Sequence, residues 1–409
     1  MSTEQSLPSH VPYAGRRSRV LLIDNDGFSY YTCYLARGLS KFADVILYGF
    51  SEESFKTTGA AKEKKVKYND IRQRLPKKPS ALNGIITVFL LFFILLELLL
   101  REKYDIVHIQ DYLPSFFLFV PFLKLRRKRI CWTMHDVEIF NFTTGLRGKL
   151  QVLFLKIVSQ PGFTSKYADK IFVHASTLKQ QLILKKVDQD KISVIRFFDY
   201  RYLLESTDTD TQLEICDTIV ENEYVLFLGN IAPWKGIDTL VDAVKIMRNR
   251  IHQSFCIVIA GEPYEGLKKI DFFENLGREE TKFVKRINRF IKNFEIPSLV
   301  SRSSFLVLPY NELFRHSASG VIPLAYTFAK PVVISNIPSL VEYVEADKTG
   351  LIFENDNPEQ LANRMIELIE NKSKCKEMGD HAYQKLVNEM SMETCCKIIN
   401  DNYQSIACV

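Results

Sequence analysis

The stretch YVLFLGNIAPWKGIDTLVDAV (residues 224–244) places one lysine between an apolar run and a helical pattern. Residues 224–228 are apolar, Gly229 opens a loop, and Lys235 precedes a second glycine and a run with helical spacing. This order predicts a strand, a turn and a helix. Because lysine is costly to bury, Lys235 faces either water or an anion. The unsatisfied amides at a helix start would suit a phosphate, but a solvated surface lysine remains an open alternative.

Strand and helix patterns alternate along most of the 409 residues. This alternation predicts parallel sheets covered by helices, so we expect an α/β protein of two doubly wound, Rossmann-like halves with a cleft between them. The expected domains are 1–205, 206–390, and a C-terminal helix at 391–409 that crosses back to the first half. Strands are expected within 19–26, 44–50, 104–112, 128–136, 168–176 and 191–198, and then within 224–230, 255–262, 303–310, 330–335 and 350–354.

The eight cysteines are scattered without CxxC spacing, which is typical of reduced thiols and of neither a zinc site nor a disulfide framework. The first residues lack the apolar core of a signal peptide, so a cytoplasmic protein is expected.

An apolar stretch, GIITVFLLFFILLELLL (84–100), lies between the basic segments 61–80 and 124–129. Its predicted flanking strands, 19–26 and 104–112, belong to one sheet, so a single membrane crossing is excluded. The stretch is either a buried helix or one that lies against a bilayer. The basic flanks favour the bilayer, and we expect an anionic membrane surface as a partner and a peripheral position on the cytoplasmic face. No nucleic-acid-binding module is recognisable, so nucleic acid is not an expected partner.

Several polar residues follow predicted strands, and ligands of open parallel sheets bind at that edge. Gly27 follows the first strand, His135 and Asp136 follow another, and Gly229, Asn230 and Lys235 follow the first strand of the second half. His135 can hydrogen-bond a substrate, with Asp136 to orient it, or it can be a packed histidine. His108 and His174 lie inside apolar runs and are interpreted as packed. No spacing of His, Asp or Glu predicts a metal site.

Ser319 and Gly320 open a further apolar helical pattern, so backbone amides of a helix start are expected to face the cleft. Glu342 follows another predicted strand, where its carboxylate either accepts hydrogen bonds from ribose hydroxyls or stabilises a helix start.

The ordered motifs FLGNIAPWKGIDTLVDAV, FLVLPY, SGVIPLAYTFAKPVV and VEYVEADKTGLIF resemble the nucleotide-sugar-binding half of glycosyltransferase family 4. The first half is similar to that family at WTMHDVEIF and ADKIFVHAS. The resemblance implies a GT-B fold and transfer of a sugar from a nucleotide-diphosphate donor, with retention of anomeric configuration and without a cofactor or essential metal. It also implies that Lys235 neutralises the donor diphosphate and that Ser319 and Gly320 cradle it. His135 would bond the transferred sugar, and Glu342 would hold the ribose.

Two positions depart from the family pattern. Asn230 stands where an arginine is common, and the family's pair of glutamates falls on His316 and Leu324. The expected function is a hexosyltransferase acting on a glycan or a lipid-linked acceptor in polysaccharide or glycoconjugate synthesis, with Gly27, Gly229 and Asn230 also at the donor site. The alternative is a GT-B protein that binds a nucleotide sugar or a partner but does not transfer.

Overall fold

The computed structural model describes residues 17–24, 29–75, 81–111, 119–138, 166–205, 223–251, 255–264, 273, 276–277 and 279–407. Gly27, which was expected at the donor site, lies outside these ranges.

The first half of the chain contains a parallel sheet of seven strands in the order β3-β2-β1-β4-β5-β6-β7. The strand order reverses between β1 and β4, which are paired in parallel, and this is the topological switch point of a doubly wound sheet. The strands are β1 (Arg19–Ile23), β2 (Asp44–Gly49), β3 (Val66–Asp70), β4 (Ile106–Gln110), β5 (Arg129–Met134), β6 (Lys170–Val173) and β7 (Ile192–Val194).

The second half repeats this plan with six parallel strands in the order β10-β9-β8-β11-β12-β13. Its switch point lies between β8 and β11, which are also paired. The strands are β8 (Tyr224–Leu228), β9 (Ile257–Ala260), β10 (Val284–Ile287), β11 (Ser303–Leu308), β12 (Val332–Ser335) and β13 (Gly350–Phe353). The expected α/β fold of two doubly wound halves is therefore confirmed.

Helices follow most strands and cover the sheets. Those of the first half are α1 (Ser29–Leu39), α2 (Glu52–Thr57), α3 (Ala81–Arg101), α4 (Val120–Leu125) and α5 (Ser176–Leu184). Those of the second half are α6 (Ile237–Arg248), α7 (Ile296–Ser301), α8 (Val321–Thr327), α9 (Pro338–Val341), α10 (Pro358–Glu370) and α11 (Lys372–Glu389), followed by α12 (Met392–Ala407).

Two strands were missed from the sequence, and both lie at sheet edges. In β3 only Val66 is buried, and in β10 only Val284 is buried, while their lysines are exposed. An edge strand has one neighbour and is often protected by charged side chains. Its sequence therefore lacks the continuous apolar run by which the central strands were found.

The last helix, α12, packs against the first half, next to α1. The Tyr403 hydroxyl lies 2.5 Å from Nδ1 of the buried His108, and the Asn402 side chain accepts a hydrogen bond from Ser193 at 2.7 Å. The backbone amide of Met392 donates to the buried Asp199 carboxylate at 2.8 Å. These contacts attach α12 to the first half of the chain.

The apolar stretch 84–100 lies within α3, which leads from the β3 edge of the first sheet back to β4 at its centre. Among the described residues, no helix combines the length and the hydropathy that a membrane crossing requires.

Candidate functional site

A cavity of about 870 Å³ lies between the two halves, and both contribute to its walls. The first half supplies Tyr31, Asp111, Asp136, Phe197 and Tyr200. The cavity thus lies where the carboxyl ends of the central strands of the two sheets meet, the usual ligand position of such sheets. The predicted site residues found in its walls are Gly229, Asn230, Lys235, Ser319 and Gly320.

Lys235 ends a short 3-10 turn, Pro233–Lys235, that connects β8 to α6. Gly236 follows with φ 60°, and a Cβ there would lie only 1.8 Å from the carbonyl oxygen of Pro309. Glycine is therefore needed for the turn to pack against the end of β11 at the switch point.

The Lys235 ammonium lies over two aromatic rings at the cavity wall. Nζ is 3.8 Å from the ring centroid of Tyr310 and 4.6 Å from that of Phe314. The rings attract the cation without neutralising it. Within the described chain, no carboxylate lies within ion-pair distance of this nitrogen, and Lys235 is the only cation among the described residues that line the cavity. The geometry favours the anion-facing interpretation over the solvated one.

Ser319 and Gly320 lie at the start of α8. The buried Ser319 Oγ accepts a hydrogen bond from the amide of Val321 at 3.3 Å and lies 3.4 Å from the Tyr310 hydroxyl. A Cβ on Gly320 would lie 2.6 Å from the hydroxyl of Tyr200, a residue of the first half. The glycine allows the two halves to approach closely at the cavity.

Asn230 is exposed at the cavity wall, immediately after Gly229, whose amide donates to the Ala260 carbonyl at 3.0 Å. The family commonly has an arginine at the position of Asn230. Among the described residues of the cavity wall, no cation other than Lys235 replaces it.

His135 is 2% exposed and contacts two residues of the cavity wall without being part of it. Its ring centroid lies 5.0 Å from that of Tyr31 and 5.7 Å from that of Phe197. Its Nδ1 lies 3.0 Å from Nε2 of His174. Burial, followed by the neighbouring His174, holds the pKa of His135 well below its ordinary value, so the ring is neutral near pH 7.

The structure does not support the expectation that Asp136 orients His135, because Nδ1 of His135 lies against His174 and Asp136 forms an isolated bridge with Ser317 of the second half. Burial raises the pKa of Asp136 to about 6, although the bond to Ser317 and the charge of Lys235 act in the opposite direction. The partner of His135 is His174, which we interpreted as merely packed. A signal was present in the sequence, since both histidines follow strands that proved to be neighbours, β5 and β6.

Glu342 is not brought to the cavity. Its two carboxylate oxygens accept hydrogen bonds from the amides of Ser176 at 2.6 Å and Thr177 at 2.7 Å, the first residues of α5 in the other half. Arg196 lies 3.9 Å away. A carboxylate at a helix start satisfies unpaired amides and complements the helix dipole. The arrangement supports the helix-start alternative and does not support a ribose contact.

A second contact between the halves lies beside this one. The amide of Val137 donates to the carbonyl of His316 at 3.0 Å, and Asp136 pairs with Ser317 as an isolated bridge. His316 Nε2 lies 3.2 Å from the Glu138 carboxylate. His316, at one of the family's glutamate positions, therefore serves the contact between the halves.

Substitution of Glu342 by glutamine should lower the free energy of unfolding by about 0.5–2 kcal/mol, because the helix start of α5 loses a charged acceptor. Burial raises the pKa of Glu342, but the bonds from the α5 amides bring it below its ordinary value of 4.5. The carboxylate's stabilisation is therefore complete above pH 4.5 and is lost as pH falls through the lower folded-state pKa. Thermal unfolding of both proteins between pH 7 and pH 3 should show a difference that shrinks in acid.

A suitable control is Glu370→Gln, because Glu370 is exposed at the end of α10 and makes no ion pair within the described chain. Equal melting temperatures of wild type and Glu342→Gln at pH 7 would show that the contact with α5 does not stabilise the protein.

No group of three or more His, Cys, Asp or Glu side chains in the described ranges could hold a metal ion.

Comparison with known proteins identifies the family of both halves. The model of Glycosyltransferase Family 4 matches residues 25–196, and that of Glycosyl transferases group 1 matches residues 210–385. An uncharacterised glycosyltransferase of Methanocaldococcus jannaschii is 27% identical over 183 residues, which are 44% of this chain and 48% of that protein. The chain thus spans about half the length of this relative.

Two further proteins are similar over more of the chain. O-antigen chain mannosyltransferase B of Escherichia coli is 22% identical over 311 residues, which cover 69% of this chain and 74% of that protein. The crystal structure of HepE from Anabaena, in complex with UDP and glucose, superposes with a TM-score of 0.68 at 17% identity, covering 95% of this chain and 100% of that one. The chain therefore belongs to glycosyltransferase family 4, and its two doubly wound halves form the GT-B fold.

Proposed function

We propose that the protein is a retaining hexosyltransferase that transfers a sugar from a nucleotide-diphosphate donor to a glycan or lipid-linked acceptor, in polysaccharide or glycoconjugate synthesis. The observation that carries the proposal is Lys235, the only cation among the described cavity residues, at the switch point of the second sheet. A diphosphate leaving group develops negative charge that needs stabilisation there. The resemblance to an O-antigen mannosyltransferase and to a UDP-bound structure supports this class of donor and acceptor.

The test is incubation of the purified protein with a panel of UDP- and GDP-sugars, read by thermal shift and by release of the nucleoside diphosphate. A donor held at 100 times its dissociation constant adds about 2.7 kcal/mol of stability. Release that persists in EDTA is expected, because no metal takes part in the proposed reaction.

A second candidate is a protein that binds a nucleotide sugar without transferring it. Asn230 in place of the common arginine, and His316 and Leu324 in place of the paired glutamates, favour this candidate. Thermal stabilisation by a nucleotide sugar without hydrolysis or transfer would support it, whereas sugar transfer to an added glycan or lipid-linked acceptor would exclude it.

We also propose that the exposed face of α3 binds an anionic membrane surface and presents the acceptor beside the cleft. Leu90, Phe93 and Leu100 are exposed on this helix at spacings that place them on one face. The acid of that face, Glu97, forms ion pairs with Arg74 at 2.6 Å and Arg101 at 3.9 Å, which reduces its repulsion from anionic lipid.

Helix α4 lies beside α3 and carries further apolar and basic side chains. The ring of Phe119, just before α4, stacks on Phe92 of α3 with a centroid distance of 4.7 Å. Leu125, at the end of α4, is 85% exposed and is followed by the exposed Arg126 and Arg127. Exposed apolar side chains beside arginines are the composition of an interfacial membrane surface.

The double variant Phe93→Ser, Leu125→Ser is expected to bind anionic vesicles at least about tenfold more weakly than wild type, because two large side chains no longer enter the acyl boundary. Co-sedimentation with phosphatidylglycerol–phosphatidylcholine vesicles at low and high salt measures this. Leu184→Ser is the matched control, since Leu184 is 83% exposed on α5. Wild-type protein that stays in the supernatant with anionic vesicles at low salt would rule out the membrane role.

A further inference from the structure

The hydroxyl of Tyr200 is a hydrogen-bond donor in the cavity wall that the resemblance to the family does not assign. Tyr200 follows the buried Asp199, where the chain leaves the first half, and it lines the cavity. Its hydroxyl forms no hydrogen bond with any residue that the structure describes, and it is not fully covered. The group can therefore be reached from the cavity and has a proton to donate.

The backbone around Tyr200 is held in place from both halves. The Tyr200 amide donates to Oγ1 of Thr327, in the second half, at 3.0 Å. The carboxylate of the preceding Asp199 accepts hydrogen bonds from the Tyr34 hydroxyl at 3.0 Å and from the amide of Met392 at 2.8 Å. A side chain on a backbone fixed in this way loses little conformational freedom when it binds a ligand.

The hydroxyl lies beside the residues that would hold the donor diphosphate. Its oxygen is 2.6 Å from where a Cβ of Gly320 would lie, and Oγ of the adjacent Ser319 is 3.4 Å from the Tyr310 hydroxyl. The Lys235 ammonium lies over the ring of the same tyrosine, 3.8 Å from its centroid. Lys235 and Tyr200 thus approach the same short segment, one from each half of the chain. We expect an anion bound there to contact both.

Asn230 leaves the diphosphate one positive charge short of the family pattern. Lys235 is the only cation among the described residues of the cavity wall. A phosphate oxygen accepts hydrogen bonds as well as attracting charge, and a hydroxyl that donates to an ion forms a short, strong bond. Burial raises the pKa of Tyr200 to about 12, so its hydroxyl stays protonated near pH 7 and can donate.

We propose that the Tyr200 hydroxyl donates a hydrogen bond to the diphosphate of the nucleotide-sugar donor, in place of the arginine that is common at the position of Asn230. The proposal rests on the proposed function, in which Lys235 neutralises this diphosphate. When the bond from the sugar to the diphosphate breaks, its electron pair goes to the phosphate oxygen. The acceptor oxygen bonds the sugar, and the acceptor's proton goes to the released diphosphate. Tyr200 keeps its own proton and stabilises the released charge.

Tyr200→Phe removes the hydroxyl and keeps the ring. We expect UDP or GDP, whichever the wild type binds, to bind this variant at least about tenfold more weakly, because a hydrogen bond to a charged group is worth about that factor or more. Affinity for the bare nucleoside should be unchanged, and the melting temperature without ligand should change little. Isothermal titration with the nucleoside diphosphate and with the nucleoside measures the two affinities.

Tyr202→Phe is the matched control. The ring of Tyr202 lies 6.3 Å from that of Tyr200, but its hydroxyl already accepts a hydrogen bond from Asn293 at 3.2 Å, and it is not part of the cavity wall. This variant should bind the nucleoside diphosphate as wild type does. A similar loss of affinity in both variants would show that any change in this turn weakens the site, which overturns the specific role of Tyr200.

A further substitution tests whether Tyr200 takes the place of the arginine. Asn230→Arg restores a cation at the cavity wall, and in the Tyr200→Phe background it should raise affinity for the nucleoside diphosphate by at least about tenfold. In wild type, where the hydroxyl already contacts the diphosphate, the gain should be smaller. Equal gains in the two backgrounds would show that the two positions act independently, which overturns the replacement.

The outcomes distinguish this proposal from the proposed function. Wild-type affinity of Tyr200→Phe for the nucleoside diphosphate, or an equal loss of affinity for the bare nucleoside, overturns the role of Tyr200. A wild type that binds UDP or GDP but transfers no sugar contradicts the proposed function, and the titrations still decide the role of Tyr200. A wild type that binds neither nucleotide overturns both.

Discussion

Lys235→Ala is expected to weaken binding of the nucleotide-sugar donor by about 10- to 150-fold, which corresponds to about 1.5–3 kcal/mol for a hydrogen bond to a charged group. The upper part of this range is favoured because no other described residue of the cavity wall carries a positive charge. The loss should be specific to the diphosphate, so affinity for the bare nucleoside should change little. Isothermal titration with the donor, the nucleoside diphosphate and the nucleoside measures the three affinities.

Lys245→Ala provides the matched control, because Lys245 lies on α6 and pairs with Asp242 at 2.8 Å. It should bind the donor as wild type does. If Lys235→Ala also keeps wild-type affinity for the donor, the diphosphate lies elsewhere and the assignment of Lys235 is wrong.

His135→Asn is expected to reduce turnover by about 10- to 100-fold while affinity for the nucleoside diphosphate is kept. The side-chain amide of asparagine lies where Nδ1 of His135 was, so its N–H can still donate to His174. Asparagine has no atom at the place of Nε2, so an acceptor there is lost. The change thus removes the predicted contact with the sugar while preserving the contact with His174. Steady-state kinetics with the donor identified by the panel measures kcat and KM.

The packed alternative for His135 makes a different prediction, which the melting temperature tests. His135 is in contact with Tyr31, His174 and Phe197 and is almost fully buried. A large fall in melting temperature with unchanged kcat per folded molecule would show that the residue serves packing and that the sugar is held by other groups.

Much of the donor side of the site could be predicted from sequence, because its signals are local. The apolar run of β8, the glycines on either side of the loop and Lys235 lie within 13 residues, and their order alone predicts a strand, a turn and a helix start. The general rule for parallel sheets then places Lys235, Ser319 and Gly320 at one edge, where the structure has them.

The roles of Glu342 and His174 could not be predicted in this way. A carboxylate beyond a strand can accept from a ribose or from helix amides, and only the approach of α5 from the other half shows that both oxygens are already bonded. For His174, the apolar run around it is the same whether the ring is merely packed or also bonded to another histidine. The two cases differ only in the residue that follows the neighbouring strand, which here is His135 after β5.

The sequence by itself determined the two doubly wound halves, the central strands and the position of the lysine at the cleft. These features depend on periodicity, turn residues and connection rules that act within a few tens of residues. Only the tertiary structure decided which distant groups meet: Glu342 with α5, and His135 with His174. The first pairing depends on how the two halves pack, and the second depends on which strands become neighbours in one sheet. A hydrogen-bonding side chain has the same local sequence whichever partner the tertiary structure brings to it.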